Sequence, residues 1–551
     1  MLVVLGGGLG LRLWGVAQGL PYIYNNDENA DFLGRAVHMF GGSLNPHYFT
    51  NPPAFTYWLH AVFAVWFGSG TPHAFATDPS SVVIVARVSV AVLGTGAVWL
   101  LYLTGSRLFG RGAGLLAAAL ESVAFLPVFY AHFALNDAPL LVPVTLSLLG
   151  TAGVLNEARK RDYLLAGVGL GLACATKYNG AIMMLPLAAA ILARRDQDTA
   201  RSIALGVLTA GVCAAGAFVV ADPYALLSFR ELRYGITHQA TASSVPKLGA
   251  PGGNGVLYYL WSLTWGLGWI PSIAALAGTV VLWRKNRRHW WVLVPTCVVF
   301  LIFMGSYARF FGRYLLPILP LICLLAAYAA NQALAATAKR HPRWHRPAFA
   351  VAAIALCGQG LIYSMHSSLI LARPYTSAVA RQWMVAHIPP GSRIVVEPVM
   401  PADWTTDIPG SLPARLPGAR WAKYSTLRSI ITPAGTLDPA ASQVVNIENY
   451  ERTLSPALIS YYERQGACWV LTGSTQSGRA YTDPQAAPHA IAYYHALTQQ
   501  AQLVYRISPY RHGQAPGTLN FDWSFDYYPL SYQHPGPELR IYRLHGGRCH
   551  T

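Results

Sequence analysis

Hydrophobic residues gather in long runs separated by short polar loops as far as Ser367, and beyond that point they scatter. The first run is Leu2–Leu20, interrupted by Arg12. It has no basic leading segment and no small-residue cleavage pattern, so it reads as a retained helix rather than a cleaved leader. Further runs follow at Val82–Thr104, Ala113–Ala131, Ala138–Asn156, Tyr163–Thr176, Tyr178–Ala193, Ser202–Val220, Val256–Trp283, Trp290–Tyr307, Arg313–Ala333 and Pro347–Ser367. Together they predict a polytopic α-helical membrane region of about eleven spans. Two are short. Tyr163–Thr176 and Tyr178–Ala193 reach only about 21–24 Å as helices and meet at Lys177, which a short hairpin would hold below the outer membrane surface. Interrupted helices around a polar residue often mark a site.

Pro21–Ser81 breaks this pattern. Asp31–Phe40 places Phe32, Ala36 and Met39 on one helical face, and Gly41-Gly42 can end that helix. Asn45-Pro46 and Pro52-Pro53 mark turns. Ala54–Phe67 is apolar and aromatic but would reach only about 21 Å, which suits a helix lying in the membrane interface. After Ser367, Tyr375–Ile388 reads as an amphipathic helix, and Ile394–Val399, Cys468–Thr472 and Leu539–Leu544 read as strands. The chain therefore divides into a membrane region, 1–371, and a C-terminal α/β or α+β domain, 372–551.

Composition supports the membrane reading: 53% of the 551 residues are hydrophobic and only 11% charged, where a soluble chain carries about a quarter. The net charge of +17 does not point to nucleic acid, because the basic residues sit between apolar runs. Alternate short loops hold Arg107 and Arg111; Arg159–Arg161; Arg194, Arg195 and Arg201; Arg284–Arg288; and Lys339–Arg346. The positive-inside rule then puts these loops and the N-terminus in the cytoplasm, and the Asp27 loop and the C-terminal domain outside. Cys468 and Cys549, both in that domain, could pair if it is extracytoplasmic.

The chemistry-bearing residues fall on the outer side. Asp27 and Glu28 follow the first run, Asn136 and Asp137 lie in the second outer loop, and Lys177 tips the hairpin. Asp222-Pro223 and His238 lie in the fourth outer loop, and Arg309 and Arg313 in the fifth. Carboxylates with cations at one membrane level suit attack on a phosphate-linked donor: a carboxylate takes the acceptor proton and the cations neutralise the leaving phosphate. Each residue also has a plainer reading. Asp137 could cap the next helix, Lys177, Arg309 and Arg313 could snorkel, and Asp222-Pro223 is more often a turn. No Cys/His spacing suggests zinc, and no phosphate-binding glycine loop stands out.

Asp27-Glu28, Leu44-Asn45-Pro46-His47 with Pro52-Pro53, Asn136-Asp137 and Arg313-Tyr314-Leu315-Leu316-Pro317 resemble the dolichyl-phosphate-mannose–protein mannosyltransferase superfamily, which includes glycosyltransferase family 39 and the bacterial lipid A aminoarabinose transferases. The resemblance covers roughly Met1–Ser367 and implies the GT-C fold. It also implies Asp27 as catalytic base with Glu28 and Asp137 assisting, and a lipid phosphate on Lys177 and Arg313, with Arg309 beside them. Asn136, His47, Asn51, Tyr178 and His238 are the further donor or acceptor loop candidates. The C-terminal region does not resemble the sugar-binding domain of eukaryotic members, which favours a bacterial or archaeal polyprenyl-phosphate-sugar user. No cofactor is required, although outer carboxylates are compatible with Mg²⁺ or Mn²⁺.

The leading expectation is an integral membrane glycosyltransferase in the cell membrane, moving a sugar from a polyprenyl-phosphate donor to a protein, lipid or glycan acceptor with inversion. A transporter or lipid flippase would place its ionisable residues near the bilayer midplane and show paired repeats. A membrane scaffold would not need the Asp27-Glu28 pair.

Overall fold

A computed structural model describes residues 1–250, 253–398, 400–407, 419–424, 428–445, 447–514 and 530–550. Among these, six helices are long and apolar enough to cross a membrane: Pro79–Phe109, Ala200–Ala221, Gly255–Lys285, Arg287–Gly305, Gly312–Arg340 and the one beginning at Arg346. A seventh span is broken, Arg111–Val123 followed by Phe125–His132 at 56°. Pro127 has no N–H to offer the Val123 carbonyl four residues back, and that carbonyl instead accepts the Ser364 hydroxyl at 2.8 Å. The remaining expected spans are also helical but short: Leu2–Leu13, Leu141–Asn156, Lys160–Thr176 and Tyr178–Leu192. The first helix stops well before Leu20, at Leu13, and the chain turns through Gly15 at φ +91°. Asp137 is not a helix cap, since the next helix begins only at Leu141.

Lys160–Thr176 packs closely against Leu141–Asn156 and Ala200–Ala221. A Cβ on Gly169 would strike the backbone of Ser147, and one on Gly171 the backbone of Ala214. Small residues let these backbones approach, and the packing fixes where the helix delivers Lys177. In the first loop, a π-helical turn at Glu28–Leu33 runs into Gly34–His38 and Met39–Gly41, ending at Gly42 with φ +112°. Phe32, Ala36 and Met39 are buried as their spacing predicts. The helix Ala54–Phe67 has the expected bounds; Phe55, Leu59 and Phe63 face the bundle while Trp58 and Trp66 are exposed.

The C-terminal part holds strands β1 (Arg393–Val396), β2 (Ala422–Tyr424), β3 (Arg428–Ser429), β4 (Gln443–Val444), β5 (Ala467–Gly473), β6 (Gln502–Ile507) and β7 (Leu539–Arg543). Five form one mixed sheet in the order β2-β1-β5-β7-β6, parallel across β2-β1-β5 and antiparallel from β5 to β6. The first strand is shorter than expected, ending at Val396, and Val399 lies outside the described residues. Cys468 and Cys549 form a disulfide with Cα atoms 5.4 Å apart.

The two ends of the bundle differ. At one end, Arg107 pairs with Glu157 and Asp162, both at 2.8 Å, and Arg288 donates to the Ala193 carbonyl at 2.6 Å. The other end carries the Asp27 loop and the C-terminal domain. There Tyr24 stacks on Tyr375 with ring centroids 4.6 Å apart, and the Tyr375 hydroxyl donates to Gln18.

Candidate active site

Four chain segments distant in sequence converge at this second end. Asp27 opens the π-helical turn, with its side chain 47% exposed. Arg313, in the 3₁₀ turn Gly312–Ile318, donates from Nη2 to Asp27 Oδ2 at 3.3 Å. Lys177, released at the end of the glycine-packed helix, donates to Asp137 Oδ1. The pairs form one cluster, because Arg313 feels the charge of both Asp27 and Asp137, and Lys177 that of Asp27. Aromatic faces line it: Lys177 lies over Tyr314 at 5.1 Å and Arg313 over Phe311 at 4.9 Å. Asn136 fixes the hairpin tip beside them, its amide donating to the Thr176 carbonyl at 2.8 Å.

Glu28, expected as a catalytic partner of Asp27, is fully buried with both oxygens occupied. Arg87 Nε and Nη2 each donate to it at 2.7 Å, and the Ala134 N–H donates at 2.8 Å. It therefore has no free oxygen for substrate. Ala134 stands just before Asn136-Asp137, so Glu28 ties the loop bearing Asp27 to the loop bearing Asp137. Arg87 lies inside an apolar run, and a charge so placed is the signal that would have revealed it.

Other expected site residues are engaged elsewhere. Arg309 donates to both oxygens of Glu448 in the C-terminal domain, at 3.1 and 2.9 Å, and Lys247 reaches the same carboxylate at 2.8 Å. These partners hold Glu448 ionised below the usual glutamate range despite its burial. His47 faces Glu231 at 3.2 Å, Asn51 donates to the Tyr48 hydroxyl at 3.1 Å, and the Tyr178 hydroxyl donates to the Phe49 carbonyl at 2.8 Å. His238 stacks on Tyr234 on the surface of Phe229–Ser243. Asp222 makes a turn, accepting the Ala225 N–H at 3.1 Å, and burial pushes its carboxyl up to about 7. In the first loop an open groove of about 410 Å³ is lined by Asn29, Arg35, His38, Asn45 and His47. Among the described residues, no group of three or more His, Cys, Asp or Glu side chains is placed to hold a metal ion.

Residues 53–222 match the sequence profile of a family described as dolichyl-phosphate-mannose-protein mannosyltransferase. The structure is similar to ArnT from Cupriavidus metallidurans bound to undecaprenyl phosphate, at 15% identity and a TM-score of 0.50, over 92% of this chain and 96% of that one. The chain shares the fold of the GT-C glycosyltransferases, and the profile match to the mannosyltransferase family covers part of its membrane region. Another GT-C structure, the archaeal oligosaccharyltransferase AglB from Archaeoglobus fulgidus in complex with an inhibitory peptide and a dolichol-phosphate, matches at 12% identity and a TM-score of 0.56, over 92% of this chain and 73% of that one. No curated protein matches the sequence. The family profile match takes in Asp137 and Lys177 but starts after Asp27 and ends before Arg313, so those two rest on their mutual geometry.

Proposed function

We propose that this chain transfers a sugar from a polyprenyl-phosphate-linked donor to an acceptor on the outer face of the membrane, with inversion and with Asp27 as general base. The observation that carries this reading is the Asp27–Arg313 contact next to the Asp137–Lys177 pair. An accessible carboxylate beside two largely buried cations is what the chemistry needs. The acceptor hydroxyl oxygen attacks the anomeric carbon, its proton passes to Asp27, and the bond from that carbon to the phosphate oxygen breaks with its electron pair leaving on phosphate. Arg313 and Lys177 receive the charge that develops there, in a setting where fixed cations act strongly. Asp137 holds Lys177 ready, and Glu28 with Arg87 holds the two loops in register. The positive charge comes from side chains, so this reading requires no cofactor.

ArnT and AglB were captured with undecaprenyl phosphate and dolichol-phosphate, which supports a polyprenyl phosphate as the carrier here. The acceptor is a protein, lipid or glycan. We place the protein in the cell membrane with its N-terminus cytoplasmic and the cluster outside. The segregation of the basic loops to the opposite end supports this, as does the Cys468–Cys549 disulfide on the cluster side. The test is sugar transfer by purified protein from a polyprenyl-phosphate sugar. Uptake or flipping of the lipid without transfer would instead favour a transporter.

A further inference from the structure

The segment between the first helix and Asp27 is built into the C-terminal domain. Tyr22, five positions before Asp27, is buried in that domain's hydrophobic core with Met384, Trp404 and Trp421. Arg381 lies 5.3 Å over the Tyr22 ring and donates to the carbonyls of Trp404 at 2.7 Å and Thr406 at 2.5 Å. Tyr24 stacks on Tyr375, the residue that opens the helix Thr376–His387. Gly19, at φ +74°, passes close to both rings: a Cβ there would stand 2.9 Å from Tyr24 and 3.4 Å from Tyr375.

A chain of hydrogen bonds leads from this contact to the proposed base. The Tyr375 hydroxyl donates to the Gln18 side chain, and both residues are buried. Arg87 Nη1 donates to the backbone carbonyls of Gln18 at 2.7 Å and Val16 at 3.0 Å. The same guanidinium holds Glu28, the residue next to Asp27, through Nε and Nη2. The Glu28 N–H donates to the Asn25 side chain at 3.2 Å, which closes the turn on which Asp27 stands. Resting on the transfer reading, we propose that Tyr375 is a positioning residue: through Gln18 and Arg87, the C-terminal domain sets where the Asp27 carboxylate meets the acceptor. The Asp27 side chain is half exposed, so its place depends on how its backbone is held. Buried hydrogen-bonded networks are rigid, and a shift at Gln18 is therefore passed on to Asp27. A base must stand within hydrogen-bond reach of the proton it takes, and a displacement of about 1 Å can cost about 100-fold in rate. The domain thus takes part in transfer without touching substrate.

The test is steady-state transfer by the purified full-length protein, with kcat and donor KM read separately. Tyr375→Phe keeps the ring on Tyr24 and removes only the hydroxyl. It should lower kcat about 10-fold and leave donor KM within about twofold, since a misplaced base slows the reaction without weakening the phosphate contacts. Gln18→Met should do the same from the other side of the bond. A buried acceptor left without its donor also lowers stability, and removing both partners largely restores it. The double variant Tyr375→Phe/Gln18→Met should therefore recover melting temperature while kcat stays low. Recovery of both together, or wild-type kcat in Tyr375→Phe, would make the contact purely structural and overturn the proposal. In an Asp27→Asn background, Tyr375→Phe should cost nothing further, because a residue acting through the base has nothing left to act on; a further loss of about 10-fold there would overturn the proposal as well. Wild-type transfer by Asp27→Asn alone would instead overturn the transfer reading, so the two failures are distinguishable.

Discussion

Arg313 Nη2 stands 3.3 Å from Asp27 Oδ2, joining residues 286 positions apart. The carboxylate is half exposed and the guanidinium largely covered. The pair therefore presents one accessible base beside one fixed cation. Asp27→Asn keeps the shape and removes the base. A general base contributes about 10²–10⁴-fold in rate, so transfer should fall by that order while the melting temperature holds. Near-wild-type transfer by this variant would sink the assignment of Asp27.

Arg313→Ala and Lys177→Ala should raise the donor KM, since each removes a charge-assisted bond to the phosphate. Such bonds are worth about 1.5–3 kcal/mol, or roughly 10–100-fold. Arg309→Ala is the internal control. Its guanidinium is committed to Glu448, so donor KM should stay near wild type. Equal effects from all three would mean that the phosphate lies across the fifth loop rather than between Arg313 and Lys177.

Glu28→Gln should behave unlike Asp27→Asn. It leaves Arg87 buried without its counter-charge, and breaking a buried pair from one side costs about 3–5 kcal/mol. Thermal unfolding should show a large drop, which Arg87→Met in the same chain should partly relieve because the unpaired charge is then gone. A fully stable but inactive Glu28→Gln would return Glu28 to the reacting groups.

Glu397 in the C-terminal domain accepts the Gly473 N–H at 2.6 Å and the Tyr494 hydroxyl at 2.7 Å. Burial pushes its carboxyl up to about 8. The folded domain thus holds this proton more tightly than the unfolded chain, and the associated stability is present at low pH and lost as pH rises through about 8. Denaturant unfolding of the full chain at several pH values should show the slope, and Glu397→Gln should flatten it. An unchanged slope in that variant would assign it to another group.

The helical plan was legible because apolar runs broken by basic loops leave few alternatives, and the helix Ala54–Phe67 shows the bounds its aromatic pattern predicts. Asp27, Asp137, Lys177 and Arg313 could be chosen in sequence as outer-loop charges, but their pairing depends on helix packing that no local pattern encodes. Glu28 and Arg309 show the limit. Each looks like a site residue by type and place, yet Glu28 is taken by Arg87 and Arg309 by Glu448. Glu448 lies far along the chain in a domain whose docking surface leaves no periodic signature. Arg87 is hidden in sequence because its single charge sits within the apolar run Val82–Thr104.

The Glu448 carboxylate that gathers Lys247 and Arg309 bears on how this protein can be re-engineered. A chimera that grafts a foreign C-terminal domain onto the membrane region would leave two like charges facing each other beside Phe311 unless the graft carries an acid at the matching position. Compatibility of the two halves therefore turns on one side chain more than on overall likeness, and a domain-swap library scored for membrane yield should be enriched in partners that keep it.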